Sequence, residues 1–234
     1  MKTKNMLLLL LVSFAFTGCS NKILLKSDFW QKKETAKIGV AVKKYPECGA
    51  HRQGNEGLLD MAINAAVTNK FDTFLKKLDI SEFSNSKILF SEKLKGSGFN
   101  AKSLQDLIDL EIYSDFNKTN QGDFFNKDLR PLSNKENIDY LVLLSVEQCG
   151  TLRSYYGFIP IGRPTVYFKV SGQLIDLKDN SILWRTEFKT QEDSFSIVGE
   201  WDSPPDFPEI IKTLKNAIVT KQNILMDAFY SNSK

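Results

Sequence analysis

The side chains best suited to chemistry in this chain are its three cysteines, Cys19, Cys48 and Cys149, and its single histidine, His51. Cys19 follows a basic start, an apolar run over 6–16 and two small residues, which together make the three parts of a secretory signal. The apolar run has about eleven residues, whereas a helix that spans a bilayer needs about twenty. The pattern therefore predicts a signal peptide over 1–18 rather than a retained membrane span.

The residues that end at Cys19, Phe-Thr-Gly-Cys, resemble the lipobox of bacterial lipoprotein precursors. The resemblance implies that the Cys19 thiol receives diacylglycerol, that Cys19 becomes the mature N-terminus, and that the mature protein takes up palmitate. Phe16 stands where such signals commonly have Leu, which is a less common departure. Several fatty chains on one residue anchor a protein far more firmly than one chain does. An ordinary secretory signal is the alternative.

Ser20 directly follows the predicted anchor. In the enteric sorting rule for lipoproteins, Asp at this position retains the protein at the inner membrane. The resemblance therefore favours the periplasmic face of the outer membrane, while the inner membrane and a Gram-positive surface stay open.

Cys48 and Cys149 remain as a candidate disulfide in an exported protein, because disulfides persist outside the cytosol. Cys48 lies three residues beyond the predicted strand end at Tyr45, and Cys149 two beyond the strand end at Glu147. If these strands are parallel neighbours, the two sulfur atoms meet. The sequence thus predicts a Cys48–Cys149 bridge, with two unrelated buried thiols as the alternative.

No constellation typical of an enzyme emerges from the remaining residues. His51 is the only histidine, which excludes multi-histidine zinc sites, and it sits in a polar turn predicted over 49–57, where an exposed imidazole without a role is expected. The acidic pairs Glu192 with Asp193 and Glu200 with Asp202 are expected to be solvated loop residues rather than a glycosidase pair. We therefore expect no catalytic residue, metal or cofactor.

Hydrophobic periodicity predicts the elements that would position these residues. The predicted strands cover 37–45, 139–147, 165–177 and 181–190, the last two as a hairpin, and the predicted helices cover 58–78, 103–113 and the chain from 206 onwards. Residues 87–90 are predicted to be extended, and 115–137 to be irregular. An [ST]-x-x-[DE] start at Ser103 and Asp106, and Asp206 with Glu209, predict helix caps. The order is strand, helix, helix, strand, hairpin, helix.

This order predicts an α/β (α+β) fold, a mixed sheet of about four strands packed by two or three helices, in a single domain over 37–234. Residues 19–36 form the lipidated N-terminus and a tether, part of which is expected to pack on the domain because apolar side chains interrupt it. The run at 139–147 is almost continuously apolar, as in a central strand covered on both faces.

The segments DYL at 139–141 and LIDL at 174–177, followed by Trp184, resemble the periplasmic domains of curli-secretion-channel lipoproteins and of lipoproteins that activate penicillin-binding proteins. Asp179 and Asn180 replace the Thr-Gly that is usual in that group. The resemblance implies an anticodon-binding-domain-like α/β sandwich without enzymatic activity.

Aromatic residues in predicted loops, together with one adjacent isoleucine, are candidates for contact with a partner protein, because Tyr, Phe and Trp are enriched at interface centres. The candidates lie in the predicted loop over 150–164 and in 198–205; they are Tyr155, Tyr156, Phe158, Ile159 and Trp201. The alternative is that these side chains fold back and cover the edge of the sheet.

The sequence thus predicts a non-enzymatic, lipid-anchored envelope protein that binds or scaffolds a synthase, a secretion complex or a transport complex. The alternative is an oligomeric secretion-channel subunit of the outer membrane, and a homo-oligomer is compatible with either. Spanning strands need about nine to eleven residues, and only 165–190 approaches this, with Lys169 and Arg185 disfavouring lipid contact. The net charge of +3 includes Lys2 and Lys4 of the signal, so it is no footprint of nucleic-acid binding.

Overall fold

The computed structural model describes residues 22–55, 69–116, 122–157, 159–186 and 190–231. Within these ranges the fold is mixed α/β, as predicted, although the sheet has seven strands rather than about four. The strands are β1 Lys37–Val42, β2 Gly49–Asn55, β3 Asn100–Ser103, β4 Tyr140–Tyr156, β5 Ile159–Asp176, β6 Ser181–Thr186 and β7 Ser194–Ser196. The α-helices are α1 Asn69–Lys76, α2 Asn85–Gly96, α3 Pro131–Glu136 and α4 Pro208–Tyr230.

A long antiparallel hairpin of β4 and β5 forms the centre of the sheet. β1 pairs with the first part of β4 and β2 with its last part, both in parallel, so these two short strands follow one another along the same edge of β4. β3 lies parallel to β1 at the outside. β6 and β7 both pair antiparallel with the other edge of β5, β6 near the end of that strand and β7 near its middle.

The two central strands are longer than the sequence predicted. Residues 150–164 were expected to form a loop, but β4 runs to Tyr156 and β5 begins at Ile159. Register shifts after Val146 and Leu152 interrupt the ladder, and such irregularities break the alternation of polar and apolar residues by which a strand is recognised. The polar residues of 150–164 lie on the exposed faces of the hairpin strands and do not indicate a loop.

Two secondary-structure assignments were wrong. Residues 103–113 form no α-helix: β3 ends at Ser103, the chain bends at 105–106, and Leu110–Ile112 is a short 3-10 helix. Leu104 and Ile108 instead donate backbone hydrogen bonds to Val40 and Val42 of β1, both at 2.8 Å. Conversely, residues 87–90, predicted to be extended, lie in α2. The buried face of this helix includes the small polar residues Ser86 and Ser91, so the sequence shows no continuous apolar stripe at helical spacing.

The final helix, α4, was predicted correctly, but its cap was not. Phe207 is the N-cap residue and makes no side-chain capping bond, and Pro208 occupies the first turn. The predicted pair Asp206 and Glu209 therefore does not close the helix start. The short helix α3 lies in the segment 115–137 that was expected to be irregular.

The core has two parts, one on each face of the sheet. The larger one includes Phe90 of α2 and Leu214, Leu225 and Phe229 of α4, and the smaller one includes Leu104 and other residues of the opposite face. β4 contributes to both, as expected for a central strand. No helix among the described residues is long and apolar enough to cross a membrane.

The segment that follows the predicted anchor packs on the domain. Ile23 exchanges two backbone hydrogen bonds with Arg185 of β6, each at 3.0 Å, and Leu25 and Phe29 are buried. Phe29 stacks on Phe99, with 5.3 Å between ring centroids. The expectation that part of the tether packs on the domain is confirmed, while Cys19 lies outside the described residues.

The predicted disulfide is present: Cys48 and Cys149 are bonded, with their Cα atoms 4.6 Å apart. The bridge stands at the start of the parallel pairing between β2 and β4, where Gly49 lies beside Gly150. The disulfide therefore links β2 and β4 next to the first pair of residues in their parallel ladder.

Candidate binding groove

A groove of about 610 Å³ lies over the outer end of the hairpin. We call it the arginine–aromatic groove. Its floor is formed by β2 and β4, and its walls by the start of α1 and by the segment that leads into α4. The lining residues are Ala50, His51, Arg52, Lys70, Phe71, Thr151, Arg153, Tyr155, Pro164, Trp201, Asp202, Pro204 and Phe207. Its volume lies within the ~300–1,000 Å³ typical of ligand sites.

Two arginines stand side by side on the floor of this groove. In the parallel register of β2 and β4, Arg52 is the partner of Arg153, and Ala50 is the partner of Thr151. Paired residues project from the same face of a sheet, so both guanidinium groups belong to the groove.

Each arginine lies over an aromatic ring. The guanidinium carbon of Arg52 is 5.0 Å from the ring centroid of Tyr155, and that of Arg153 is 5.3 Å from the ring of Trp201. Both distances are within the range of cation–π attraction. Arg153 also donates its Nε–H to the carbonyl oxygen of Gly162 at 3.0 Å. These contacts position the two guanidinium groups.

The apolar wall is a cluster of aromatic rings. Phe71 of α1 packs edge-on against Trp201 at 6.0 Å and against Phe207 at 5.1 Å, measured between ring centroids. On the other side, Arg163 donates to the carbonyl oxygen of Gly199 at 3.1 Å, which holds the segment that carries Trp201. The wall thus joins three parts of the chain that are distant in sequence.

His51 lies at this site and not in an exposed turn. The segment predicted as a polar turn is β2, and Nε2 of His51 is 3.1 Å from the carbonyl oxygen of Cys149. The imidazole also packs edge-on against Tyr167, with centroids 5.3 Å apart. The expectation of an exposed imidazole is wrong, because pairing with β4 turns this polar segment into a strand.

The other contact candidates lie at the tip of the hairpin. Tyr156 is 76% exposed and Ile159 54%, and Ile161 is exposed beside them. We call these three residues the hairpin end. Tyr155 and Trp201 line the groove, and Phe158 lies outside the described residues. Although the hairpin end and the groove both include residues of β4, Tyr155 and Tyr156 are consecutive strand residues, so their side chains project from opposite faces of the sheet.

The two candidate carboxylate pairs lie in different environments. Asp193, expected to be solvated, is completely buried and forms an ion pair with Lys221, whereas Asp202 is exposed at the groove. Burial raises the pKa of Asp193, against the opposing effect of Lys221. Within the described residues, no group of three His, Cys, Asp or Glu side chains could hold a metal ion.

No local pattern pointed directly to the arginine pair, although the positions of the two cysteines held a signal for it. Arg52 follows Cys48 by four residues, and Arg153 follows Cys149 by four. Once the bridge and the parallel pairing are accepted, equal spacing places the two arginines next to each other. Phe71 lies on the apolar stripe of the predicted helix over 58–78, of which only the end, α1, falls within the described residues.

No protein-family model matches this chain, and no curated protein matches it. Three solved structures are similar in part. A neuraminyllactose-binding hemagglutinin homolog from Helicobacter pylori is 10% identical, over 86% of this chain and 91% of that one, with a TM-score of 0.38. The dodecamer of PelC from Paraburkholderia phytofirmans is 9% identical, over 85% and 93%, with a TM-score of 0.28.

The third structure is lipoprotein GNA1162 from Neisseria meningitidis, at 16% identity over 81% of this chain and 99% of that one, with a TM-score of 0.26. Because all three TM-scores lie below 0.5, these likenesses carry no argument about this chain. The anticodon-binding-domain-like architecture implied by the sequence resemblance stays a prediction.

Proposed function

We propose that this chain is a lipid-anchored protein of the bacterial envelope that binds another envelope protein and catalyses no reaction. The observation that carries the proposal is the hairpin end, where Tyr156, Ile159 and Ile161 expose apolar surface on one face of the two paired strands. Grouped exposed apolar side chains mark interaction sites, and tyrosine, tryptophan and arginine are the residues most often found at interface hot spots.

The docked N-terminal segment supports a position beside the membrane. If Cys19 is acylated, Ile23 lies only four residues further on, a reach of at most about 14 Å in extended chain. Ile23 is held by β6. The domain would then be kept next to the bilayer surface instead of reaching across the periplasm. The Cys48–Cys149 bridge agrees with an oxidising compartment, and Ser20 favours the outer membrane.

The long hairpin gives the alternative, a secretion-channel subunit of the outer membrane, one specific observation in its favour. β4 and β5 have 17 and 18 residues, more than the sequence predicted. However, the first part of β4 is buried on both faces, and Arg153 and Arg163 near the outer end bond to backbone within the domain. We therefore favour a hairpin that serves as a contact surface.

Photo-crosslinking in living cells tests the proposal. A photoreactive amino acid replaces Tyr156, and the control variant carries it at Ile112, which is also 75% exposed but lies outside the hairpin. We expect position 156, and not position 112, to crosslink one envelope protein. That protein, once purified, should bind the wild-type chain and lose at least tenfold in affinity for a Tyr156→Asp, Ile159→Asp variant.

The remaining outcomes decide against the proposal. Crosslinks from position 156 only to further copies of this chain would favour the oligomeric alternative. Equal crosslinking from positions 156 and 112, or none from either, would refute a contact surface at the hairpin end.

A further inference from the structure

The N-terminal segment over residues 22–33 is fixed to the body of the domain, and we call it the docked segment. Ile23 exchanges two backbone hydrogen bonds with Arg185 of β6. Trp30 packs edge-on against Phe229 near the end of α4, with 5.8 Å between ring centroids. Because a strand and the last helix both hold the docked segment, only a short stretch of chain separates the predicted anchor from the domain.

The outward side of the docked segment combines lysines with an exposed leucine. Ile23 and Leu25 face the domain, so Lys22, Leu24 and Lys26 project to the opposite side, as alternate residues of an extended chain do. The Leu24 side chain is 51% exposed. This apolar side chain therefore stands in solvent between two positive charges, close to the predicted lipid.

The docked segment also carries an excess of positive charge. It contains four lysines, all exposed, and one acidic residue, Asp28. Asp123, which lines a depression together with Leu24 and Lys26, is paired with Arg185 at 3.4 Å and does not offset this excess. Basic side chains attract anionic headgroups, and an exposed leucine among them adds apolar area for the membrane interface. The docked segment is therefore complementary to an anionic bilayer surface.

The hairpin end lies at the far end of the sheet from the docked segment. Arg185, which holds Ile23, is the partner of Gln173 in β5, and Ile159 begins the same strand at its other end. At about 3.3 Å per residue, the stretch 159–173 spans up to about 45 Å. A long strand thus separates the anchored side of the domain from its exposed contact surface.

We infer that the docked segment lies on the anionic surface of the bilayer that anchors Cys19, and that the domain thereby directs the hairpin end away from this bilayer. The inference rests on the proposed function and assigns the position of its contact surface. A lipid anchor alone fixes one point, about which the domain can turn. A second contact through the docked segment restricts that rotation, so the partner protein is met at a distance from the bilayer.

Fluorescence quenching in vesicles tests the inference. The full acylated protein carries one fluorophore on an introduced cysteine, at Ser27→Cys in the docked segment or at Tyr156→Cys in the hairpin end. Cys48 and Cys149 are bonded to each other and do not react. The vesicles contain phosphatidylethanolamine, phosphatidylglycerol and a lipid with a nitroxide on its headgroup, which quenches only nearby fluorophores. We expect quenching at position 27 and none at position 156.

The lysines of the docked segment should account for this difference. Lys22→Gln with Lys26→Gln should reduce the quenching at position 27 at least about twofold, and added salt should act in the same direction, since the attraction is electrostatic. The matched control is Lys212→Gln with Lys215→Gln, which removes two exposed lysines from the first part of α4, whereas the docked segment packs near the end of that helix. The control should be quenched as the wild type is.

Three results, each with protein that floats with the vesicles, would overturn the inference. Equal quenching at positions 27 and 156 would place the hairpin end on the bilayer, and no quenching at position 27 would lift the docked segment off it. Unchanged quenching in the Lys22→Gln, Lys26→Gln variant would exclude attraction by charge. In these cases crosslinking from Tyr156 still decides the proposed function. Protein that does not float with the vesicles would refute the lipid anchor and this inference with it.

Discussion

The ammonium group of Lys221 lies 2.7 Å from Oδ1 of Asp193, and both side chains are completely buried. Lys221 belongs to α4, and Asp193 ends the short 3-10 helix Thr190–Asp193 just before β7. The pair therefore ties the longest helix to the strand that flanks the middle of β5. Removing one member leaves an uncompensated charge in the interior.

Lys221→Met should destabilise the fold by about 3–5 kcal/mol, because the Asp193 carboxylate then stays buried without its partner. The double variant with Asp193→Leu should recover most of that loss, since it removes both charges. Urea unfolding of the two variants measures this. A single variant as stable as the wild type would show that the pair is not buried in solution.

The Cys48–Cys149 bridge should stabilise the chain by constraining its unfolded state. It closes a loop with a sequence separation of 101, and loops of about that length correspond to roughly 2–5 kcal/mol. Cys48→Ala with Cys149→Ala should lower the free energy of unfolding by this amount. Unfolding curves unchanged by the double substitution would contradict the constraint.

Gly150 should be intolerant of any side chain. Its φ is +129°, and a Cβ there would collide with the backbone of Gly49 on the neighbouring strand. We expect Gly150→Ala to cost more than about 2 kcal/mol. Gly49→Ala is the control, because a Cβ at that position meets nothing within 4 Å. Equal losses for the two variants, measured by thermal unfolding, would argue against the close approach of β2 and β4.

The elements of the fold that could be predicted from the sequence are those that produce a local periodic pattern. The apolar run of β4, the alternation that leads to Trp184 in β6 and the stripe of α4 all reflect local periodicity, and all were found. The groove depends on pairing between β2 and β4, about a hundred residues apart, which periodicity does not encode. The polar segment of β2 becomes a strand only because β4 offers it an edge.

The helix over 85–96 shows a second reason for failure. Ser86 and Ser91 are buried while Ile88 and Leu89 are exposed, so the apolar pattern does not follow the buried face. Leu104 and Ile108 were assigned to one helix face because they are four residues apart, but a bend separates them and each bonds its backbone amide to β1. In both segments tertiary contacts decide the structure.

High pH should destabilise the domain through Tyr230. Burial raises the pKa of Tyr230 from 10.0 to about 12. The folded state therefore keeps this phenolic proton while the unfolded state loses it, so stability is fully present below pH 10 and falls as pH rises from about 10 to about 12. Tyr230→Phe should flatten this part of the curve, measured by urea unfolding at several pH values. An unchanged slope in the variant would contradict the assignment to Tyr230.

Acylation of Cys19 is the premise on which the envelope location and the choice of partner both depend. Cells grown with an alkyne analogue of palmitate provide the most direct measurement. We predict that the mature protein is labelled and recovered with the outer membrane, and that Cys19→Ser abolishes the labelling. An unlabelled mature chain recovered free in the periplasm or the medium would contradict the account.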